Sequence, residues 1–202
     1  MNRLTTWVAA SALLAGSIAP IHAQKPPAPA MPDHAMHGDS LPPAGGHMHG
    51  SPKAAPADVA SPEAIVAAYY ESLSGPAGKK RDWNRFLSLF SGEAHLLPAE
   101  GKGHAGIMAM EYTPQTYLYG TEPRMLEDGY VVKEVARKSA GFGKIQHVWS
   151  TYEGRHAAAD PKPFVRGINS FQLFTDGKRW WIFDVIWQPE TAKLALPAEY
   201  LH

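Results

Sequence analysis

The feature that most constrains the fold is a succession of four strand-like segments in the second half of the chain. Each segment is rich in the β-branched and aromatic residues that favour extended backbone. They cover residues 130–138, 144–153, 164–174 and 179–188. Turn-forming residues separate them, and Asp176 followed by Gly177 is a typical two-residue hairpin signal. The pattern therefore predicts an antiparallel meander.

Three helices are predicted ahead of these strands. An N-cap serine and apolar residues at a spacing of four predict a helix over 61–74. Asp82 can cap a second helix with an apolar stripe that reaches Phe90, a short extended piece follows at 94–98, and Thr113 opens a third helix. Helices followed by antiparallel strands favour an α+β fold in which one curved sheet wraps the helices.

The N-terminus has the order of regions found in a secretory signal peptide. Arg3 precedes an apolar run over 7–19, which Pro20 ends, and small residues lead to Ala23. A bilayer-spanning helix needs about 20 apolar residues, so this run is too short for an anchor. We therefore expect cleavage after Ala23, a periplasmic or secreted protein, and no membrane anchor in the mature chain.

Residues 24–60 are predicted to be a disordered linker, because eight prolines, eight alanines and four glycines leave little apolar surface to bury. Imidazole and thioether groups in this linker are ligands that suit copper. The six side chains are His34, Met36, His37, His47, Met48 and His49. A role in handling copper or another metal is one hypothesis, and a soluble tether with incidental His and Met residues is the other.

Composition excludes several classes of site. The chain has no cysteine, which excludes disulfides, thiolate metal sites and thiol nucleophiles. Lys and Arg together number 19, as do Asp and Glu, so nothing indicates a nucleic-acid partner. After the signal and linker, about 140 residues remain, an ordinary size for one domain.

The hairpin sequence resembles a known family. Residues 166–177 read RGINSFQLFTDG and residues 179–187 read RWWIFDVIW. These segments, with KIQHVWSTYE at 144–153, resemble the sheet half of nuclear transport factor 2-like, or SnoaL-like, proteins. The resemblance covers a domain at 61–190 and leaves a tail at 191–202. It implies a cone-shaped α+β fold with a deep apolar pocket between the concave sheet face and the helices.

The superfamily includes ketosteroid isomerases, polyketide cyclases and scytalone dehydratase alongside non-catalytic binding and dimerisation modules, so the fold does not determine the function. The resemblance implies a homodimer. None of the active-site motifs of the catalytic members matches this chain, and no catalytic role is carried over from them.

A two-residue turn at Asp176 would pair Asn169 with Asp184 on an otherwise apolar sheet face. We assign this face to the pocket, where Asp184 could act as a general base or as a neutral hydrogen-bond donor, because a poorly solvated carboxylate has a raised pKa. His147 could relay a proton if its side chain faces the same way, which the pattern leaves open. The alternative for the pair is structural, with Asn169 and Asp184 satisfying each other.

Aromatic residues complete the predicted ligand site. Tyr117 and Trp180 could line the pocket, as could Tyr112, Tyr119 and Tyr130, although packing alone explains such residues equally well. The leading hypothesis is an exported module that binds a small apolar or amphipathic molecule. An enzyme of isomerase, cyclase or dehydratase type using Asp184, and metal handling by the linker, are the alternatives.

Overall fold

A computed structural model describes residues 51–99 and 111–202, which form an α+β domain. Its helices are α1 (Pro62–Leu73), α2 (Trp83–Leu87) and α3 (Pro114–Asp128). Its strands are β1 (Phe90–Pro98), β2 (Val131–Phe142), β3 (Ile145–Arg155), β4 (Val165–Thr175) and β5 (Trp180–Pro189). The helices pack on one face of a curved sheet. The predicted α+β cone is confirmed.

The sheet is mixed rather than wholly antiparallel. Its strand order is β1-β5-β4-β3-β2, and β2 to β5 form the predicted antiparallel meander. The exception is β1, which runs parallel to β5. The predicted second helix ends early, since α2 stops at Leu87 and Phe90 already begins β1. The short extended piece is therefore a full edge strand.

Helices α1 and α2 supply the core on the concave face. Ile65, Phe86 and Phe171 are fully buried. The ring of Tyr69 stands perpendicular to that of Phe171 with centroids 5.0 Å apart, an edge-to-face contact that aromatic pairs favour. Ser61 caps α1 by accepting a hydrogen bond from the backbone of Ala64 at 3.1 Å, as its position in the sequence predicts.

Part of the predicted linker belongs to the domain. Pro56–Val59 form a 3-10 helix, the Val59 side chain is buried, and Asp58 pairs with Arg85 at 2.8 Å. The hydrogen bonds from Arg85 lower the pKa of Asp58. The prediction of disorder to residue 60 is therefore wrong at its end, because one branched side chain and one ion pair hold this segment. The signal segment, the six His and Met residues and the rest of the linker lie outside the described residues.

The face of the sheet opposite the helices, here called the outer face, is partly covered by the chain's own C-terminus. Residues 190–202, the C-terminal strap, are fixed near both ends. The Glu190 backbone N–H donates to the carbonyl of Arg166 at 2.8 Å, and the Thr151 hydroxyl donates to the carbonyl of Tyr200 at 2.6 Å. No helix within residues 51–99 or 111–202 is both long and apolar enough to cross a membrane.

Candidate functional site

The turn between β4 and β5 is wider than the sequence predicts. Thr175 pairs with Trp180, which leaves four residues in the turn instead of two. The Asp176 carboxylate accepts hydrogen bonds from the backbone N–H groups of Lys178 at 2.8 Å and Arg179 at 2.9 Å. This side-chain closure of the turn competes with the two-residue hairpin that an Asp-Gly pair usually favours.

A β-bulge then changes which face Asp184 occupies. Leu173 pairs with Ile182, but Gln172 pairs with Asp184, so Phe183 is an extra residue on β5. One extra residue reverses the inward and outward alternation of everything that follows it. The predicted pairing of Asn169 with Asp184 is therefore wrong: Asn169 lies opposite Trp187 on the concave face, and Asp184 lies on the outer face.

A small cavity of about 50 Å³ lies between the concave face, α1 and α3. Its walls are Tyr69, Tyr70, Leu73, Tyr117, Tyr130, Val132, Tyr152, Asn169 and Trp187. We call it the tyrosine chamber. The resemblance implies a deep pocket at this place, but six aromatic rings occupy most of the space. The concave pocket thus exists in a much narrower form than expected.

A chain of hydrogen bonds leads from the chamber to the sheet edge. The Asn169 amide donates to the Tyr70 hydroxyl at 2.9 Å, which lies 2.7 Å from the Ser150 hydroxyl, and Ser150 donates to Glu134 at 2.6 Å. Glu134 also pairs with Arg137 at 2.7 Å. A carboxylate only accepts, so Ser150 must donate to Glu134 and Tyr70 to Ser150. This fixes the orientation of the Asn169 amide.

The other four tyrosine hydroxyls of the chamber have no such partners. Within residues 51–99 and 111–202, no residue forms a hydrogen bond with the hydroxyl of Tyr69, Tyr117, Tyr130 or Tyr152. Polar groups in protein interiors are almost always paired with protein, water or ligand. The four hydroxyls are therefore available to hydrogen-bond with water or with a bound molecule.

Burial keeps these phenols neutral. It raises the pKa of Tyr69 and of Tyr130 well above the ordinary value, and neighbouring tyrosines raise both further. Burial also raises the pKa of Tyr152 to about 12. Because a neutral phenol both donates and accepts, each of these hydroxyls can donate a hydrogen bond to an acceptor placed in the chamber.

Two larger cavities lie beside α3 and reach the chamber walls. One, of about 330 Å³, lies next to Tyr130 and is bordered by the stacked rings of His156 and Phe164, whose centroids are 4.1 Å apart. The other, of about 240 Å³, includes Tyr117 and Trp187 in its lining. We call them the first and second α3 cavities. Both offer space for a molecule larger than the chamber alone can hold.

The residues predicted to form the ligand site do not all come together. Asn169 and Tyr117 line the chamber, whereas Trp180 packs against the core at the start of β5 and contributes to none of the cavities described here. His147 lies on the outer face, where its Nε2 is 3.0 Å from the Ser170 hydroxyl. The open question of its direction is thereby answered, and it does not face the chamber.

Asp184 lies in a different environment from the one predicted. Its carboxylate is 3.3 Å from Nδ1 of His95, and Nε2 of His95 is 3.0 Å from Glu111. The placement of Asp184 as a base in the concave pocket is therefore wrong. No three His, Asp, Glu or Cys side chains in the described part of the chain form a group that could hold a metal ion.

Several chamber residues carry no functional signal in the sequence. Tyr69 lies on the predicted apolar face of α1, and Ser150 and Tyr152 alternate with His147 on β3. Those patterns could have identified them as concave-face residues, although not as unpaired hydroxyls. Glu134 gave no signal, because the irregular register that follows it in β2 is not visible in the sequence.

No protein-family model and no curated protein matches this chain. Among solved structures, it is similar to a nuclear transport factor 2-like protein of unknown function from Pseudomonas putida (12% identity, 67% of this chain and 91% of that one, TM-score 0.49). A protein of unknown function with a cystatin-like fold from Nostoc punctiforme is also similar (12% identity, 63% and 87%, TM-score 0.48).

A third similar structure is a hypothetical protein from Catenulispora acidiphila with a ketosteroid isomerase-like fold, solved in complex with trimethylamine. It shares 20% identity over 69% of this chain and 98% of that one, with a TM-score of 0.40. The α+β class of the present domain follows from its own helices and five-stranded sheet.

Proposed function

We propose that this protein is an exported small-molecule-binding module that holds the polar end of a small amphipathic ligand in the tyrosine chamber. The observation that carries the proposal is a set of four tyrosines that line the chamber and whose hydroxyls form no hydrogen bond to any residue that the structure describes. Hydrogen-bonding groups that line a cavity take their partners from water or from a ligand, so four such hydroxyls together favour a hydrogen-bonding guest.

The size of the chamber limits what enters it. A space of about 50 Å³ is enough for roughly three to five water molecules, since each needs about 10–15 Å³, or for one small polar group. The rest of the ligand then has to lie in an α3 cavity. The lining of the second α3 cavity includes Pro98, Tyr112 and Trp187, and these side chains suit the apolar part of a ligand.

The chemistry of the walls favours a neutral acceptor. No Lys, Arg, Asp or Glu is among the chamber residues named above, so a charged head group would lie there without a counter-charge. Neutral phenols can donate to a carbonyl oxygen, and a carbonyl on an apolar body is the ligand class that fits best. The neutrality of these phenols also favours binding of a ligand over abstraction of a proton from it.

The hydroxyl of Tyr117 tests this proposal. We expect Tyr117→Phe to lower the affinity for 4-butylcyclohexanone about five-fold, because one net hydrogen bond is lost while the ring remains. Affinity for 4-butyl-1-methylenecyclohexane, which lacks the acceptor, should stay unchanged. Isothermal titration calorimetry on the full chain measures both.

Tyr119→Phe is the matched control, since Tyr119 is on the same helix but 89% exposed. Equal effects of the two substitutions, or tight binding of the probe that has no acceptor, would contradict a hydrogen-bonding chamber. So would a complete lack of binding by the ketone.

Export is part of the proposal and has its own test. Expression with the natural N-terminus in a bacterial host should yield a periplasmic protein whose intact mass corresponds to a chain beginning at Gln24. The physical reason is the length of the apolar run over 7–19, which suits signal peptidase and not a stable anchor. A cytoplasmic protein that retains residues 1–23 would refute this part. Copper binding by the linker and homodimerisation through the outer face stay as predictions.

A further inference from the structure

A larger cavity lies on the opposite side of the sheet from the tyrosine chamber. It has a volume of about 410 Å³ and separates the outer face from the C-terminal strap. Apolar side chains from both walls line most of it, among them Trp149, Ile168, Ile186, Leu196, Pro197 and Tyr200. We call it the strap cavity. Its volume lies in the range of about 300–1,000 Å³ that is typical of small-molecule sites.

Hydrogen bonds and ring contacts hold the C-terminal strap in place, and it forms one wall of the strap cavity. Its Leu196 backbone N–H donates to the Glu190 carboxylate at 3.1 Å, which closes the strap's first part into a loop. At the far end, the Tyr200 ring lies beneath the Lys138 ammonium at 4.6 Å and beside the Trp149 ring at 5.6 Å. The cavity thus lies between a sheet and a segment that the sheet itself positions.

One residue of this wall carries a buried polar atom that has no partner in the described residues. The indole Nε1 of Trp149 is buried and forms no hydrogen bond to any residue that the structure describes. Nearby, the Ser170 hydroxyl lines the same cavity and is 3.0 Å from His147. Indole N–H is a donor only, so the group that completes this site is an acceptor.

We infer that the strap cavity is a second binding site, for a neutral aromatic molecule that carries one hydrogen-bond acceptor. The aromatic part contacts the apolar walls, and the acceptor receives the Trp149 N–H. Apolar cavities of this kind take up apolar guests in preference to water. The strap covers only part of these walls, since Ile186 is still 44% exposed, so a second copy of the chain is the competing occupant that the test has to distinguish.

A pair of probes tests the role of Trp149. 2-Acetylnaphthalene carries a carbonyl acceptor, and 2-ethylnaphthalene has the same shape without it. We expect Trp149→Phe to lower the affinity of the full chain for the ketone about five-fold and to leave that for the hydrocarbon nearly unchanged. Calorimetry measures both, and Tyr117→Phe should affect neither, which distinguishes this site from the tyrosine chamber.

A second pair of variants tests whether the probes bind in the strap cavity. Ala195 lines the strap cavity, whereas Ala192 is equally part of the exposed strap but does not line it. We expect Ala195→Trp to lower the affinity for both naphthalene probes about ten-fold or more, because the indole fills the space, and Ala192→Trp to leave it unchanged.

Three results would overturn the inference. One is unchanged binding of both probes by Ala195→Trp, and another is no binding of either probe by the unmodified chain. The third is dissociation of a dimer by Ala195→Trp, seen by sedimentation, in a protein that binds neither probe. That outcome would assign the cavity to an interface between copies of this chain.

Discussion

Raising the pH above about 10 is expected to unfold the domain within one to two pH units. Tyrosines in an unfolded chain ionise near pH 10. In the folded domain, burial raises the pKa of all five chamber tyrosines, to about 12 for Tyr152. The folded state therefore retains protons that the unfolded state has released, and its stability falls as the pH rises.

The size of this effect follows from the number of groups. Each buried phenol contributes up to about 1.4 kcal/mol per pH unit between its unfolded and folded pKa values. Five of them together give up to about 7 kcal/mol per unit, comparable to the whole stability of about 5–15 kcal/mol of a typical domain. Below about pH 10 the stabilisation by neutral tyrosines is fully present.

Urea unfolding followed by circular dichroism at several values between about pH 8 and about pH 11 measures this slope. Tyr152→Phe is the control, because it removes one ionising group and should reduce the slope by about 1.4 kcal/mol per pH unit. Phenolate absorbance gives a second readout. If all eight tyrosines ionised near pH 10 while the circular dichroism stayed native, the chamber would be open to water and the expectation refuted.

Replacing Gly129 with alanine is expected to lower the free energy of unfolding by about 3 kcal/mol or more. Gly129 follows α3 with φ 75° and ψ 152°, a conformation that residues with a Cβ rarely adopt. An added Cβ would meet the backbone carbonyl oxygen of His156 and would lie 2.8 Å from the backbone nitrogen of Ala77. Backbone atoms of neighbouring segments cannot move aside as a flexible side chain can.

Gly143→Ala is the matched control for backbone strain without crowding. Gly143 has φ 59° in the β2–β3 turn, and an added Cβ there meets nothing within 4 Å. Gly143→Ala should lower the free energy of unfolding by about 1 kcal/mol, which is the cost of a left-handed conformation alone. Urea denaturation of both variants compares them. Equal costs for the two substitutions would show that the contacts at Gly129 relax freely.

Gly129 also positions part of the candidate site. The next residue, Tyr130, pairs with Gly75 through two backbone hydrogen bonds of 2.8 and 2.9 Å and lines the chamber. A shift of the backbone at Gly129 therefore moves a chamber hydroxyl as well. We expect ketone affinity in Gly129→Ala to fall together with stability.

Local signals in the sequence account for most of the elements. The cap at Ser61 and the spacing of apolar residues predict a helix at 61–74, and α1 covers Pro62–Leu73. The strand predicted at 164–174 corresponds to β4 at Val165–Thr175. These features depend on residues that are close together in the chain, which is why pattern alone is sufficient.

The candidate site was predictable only in part, because its register depends on a single residue. Asn169 lies on the concave face as expected, but the bulge at Phe183 moves Asp184 to the outer face, where it meets His95. The parallel pairing of β1 with β5 and the filling of the pocket by rings such as Tyr70 depend on contacts between distant segments. Periodicity contains no information about such contacts.

The position of β1 at the edge of the sheet has a consequence for how the chain matures. Phe90 is the Cα partner of Ile182, so the first strand to be synthesised waits for the last before it can pair. Such non-local pairing slows folding, and an unpaired apolar strand is a template for aggregation until its partner arrives. A chain interrupted before β5 thus loses two strands from its sheet. If the whole chain were delivered in an unfolded form, β1 and β5 would both be present when the sheet begins to form.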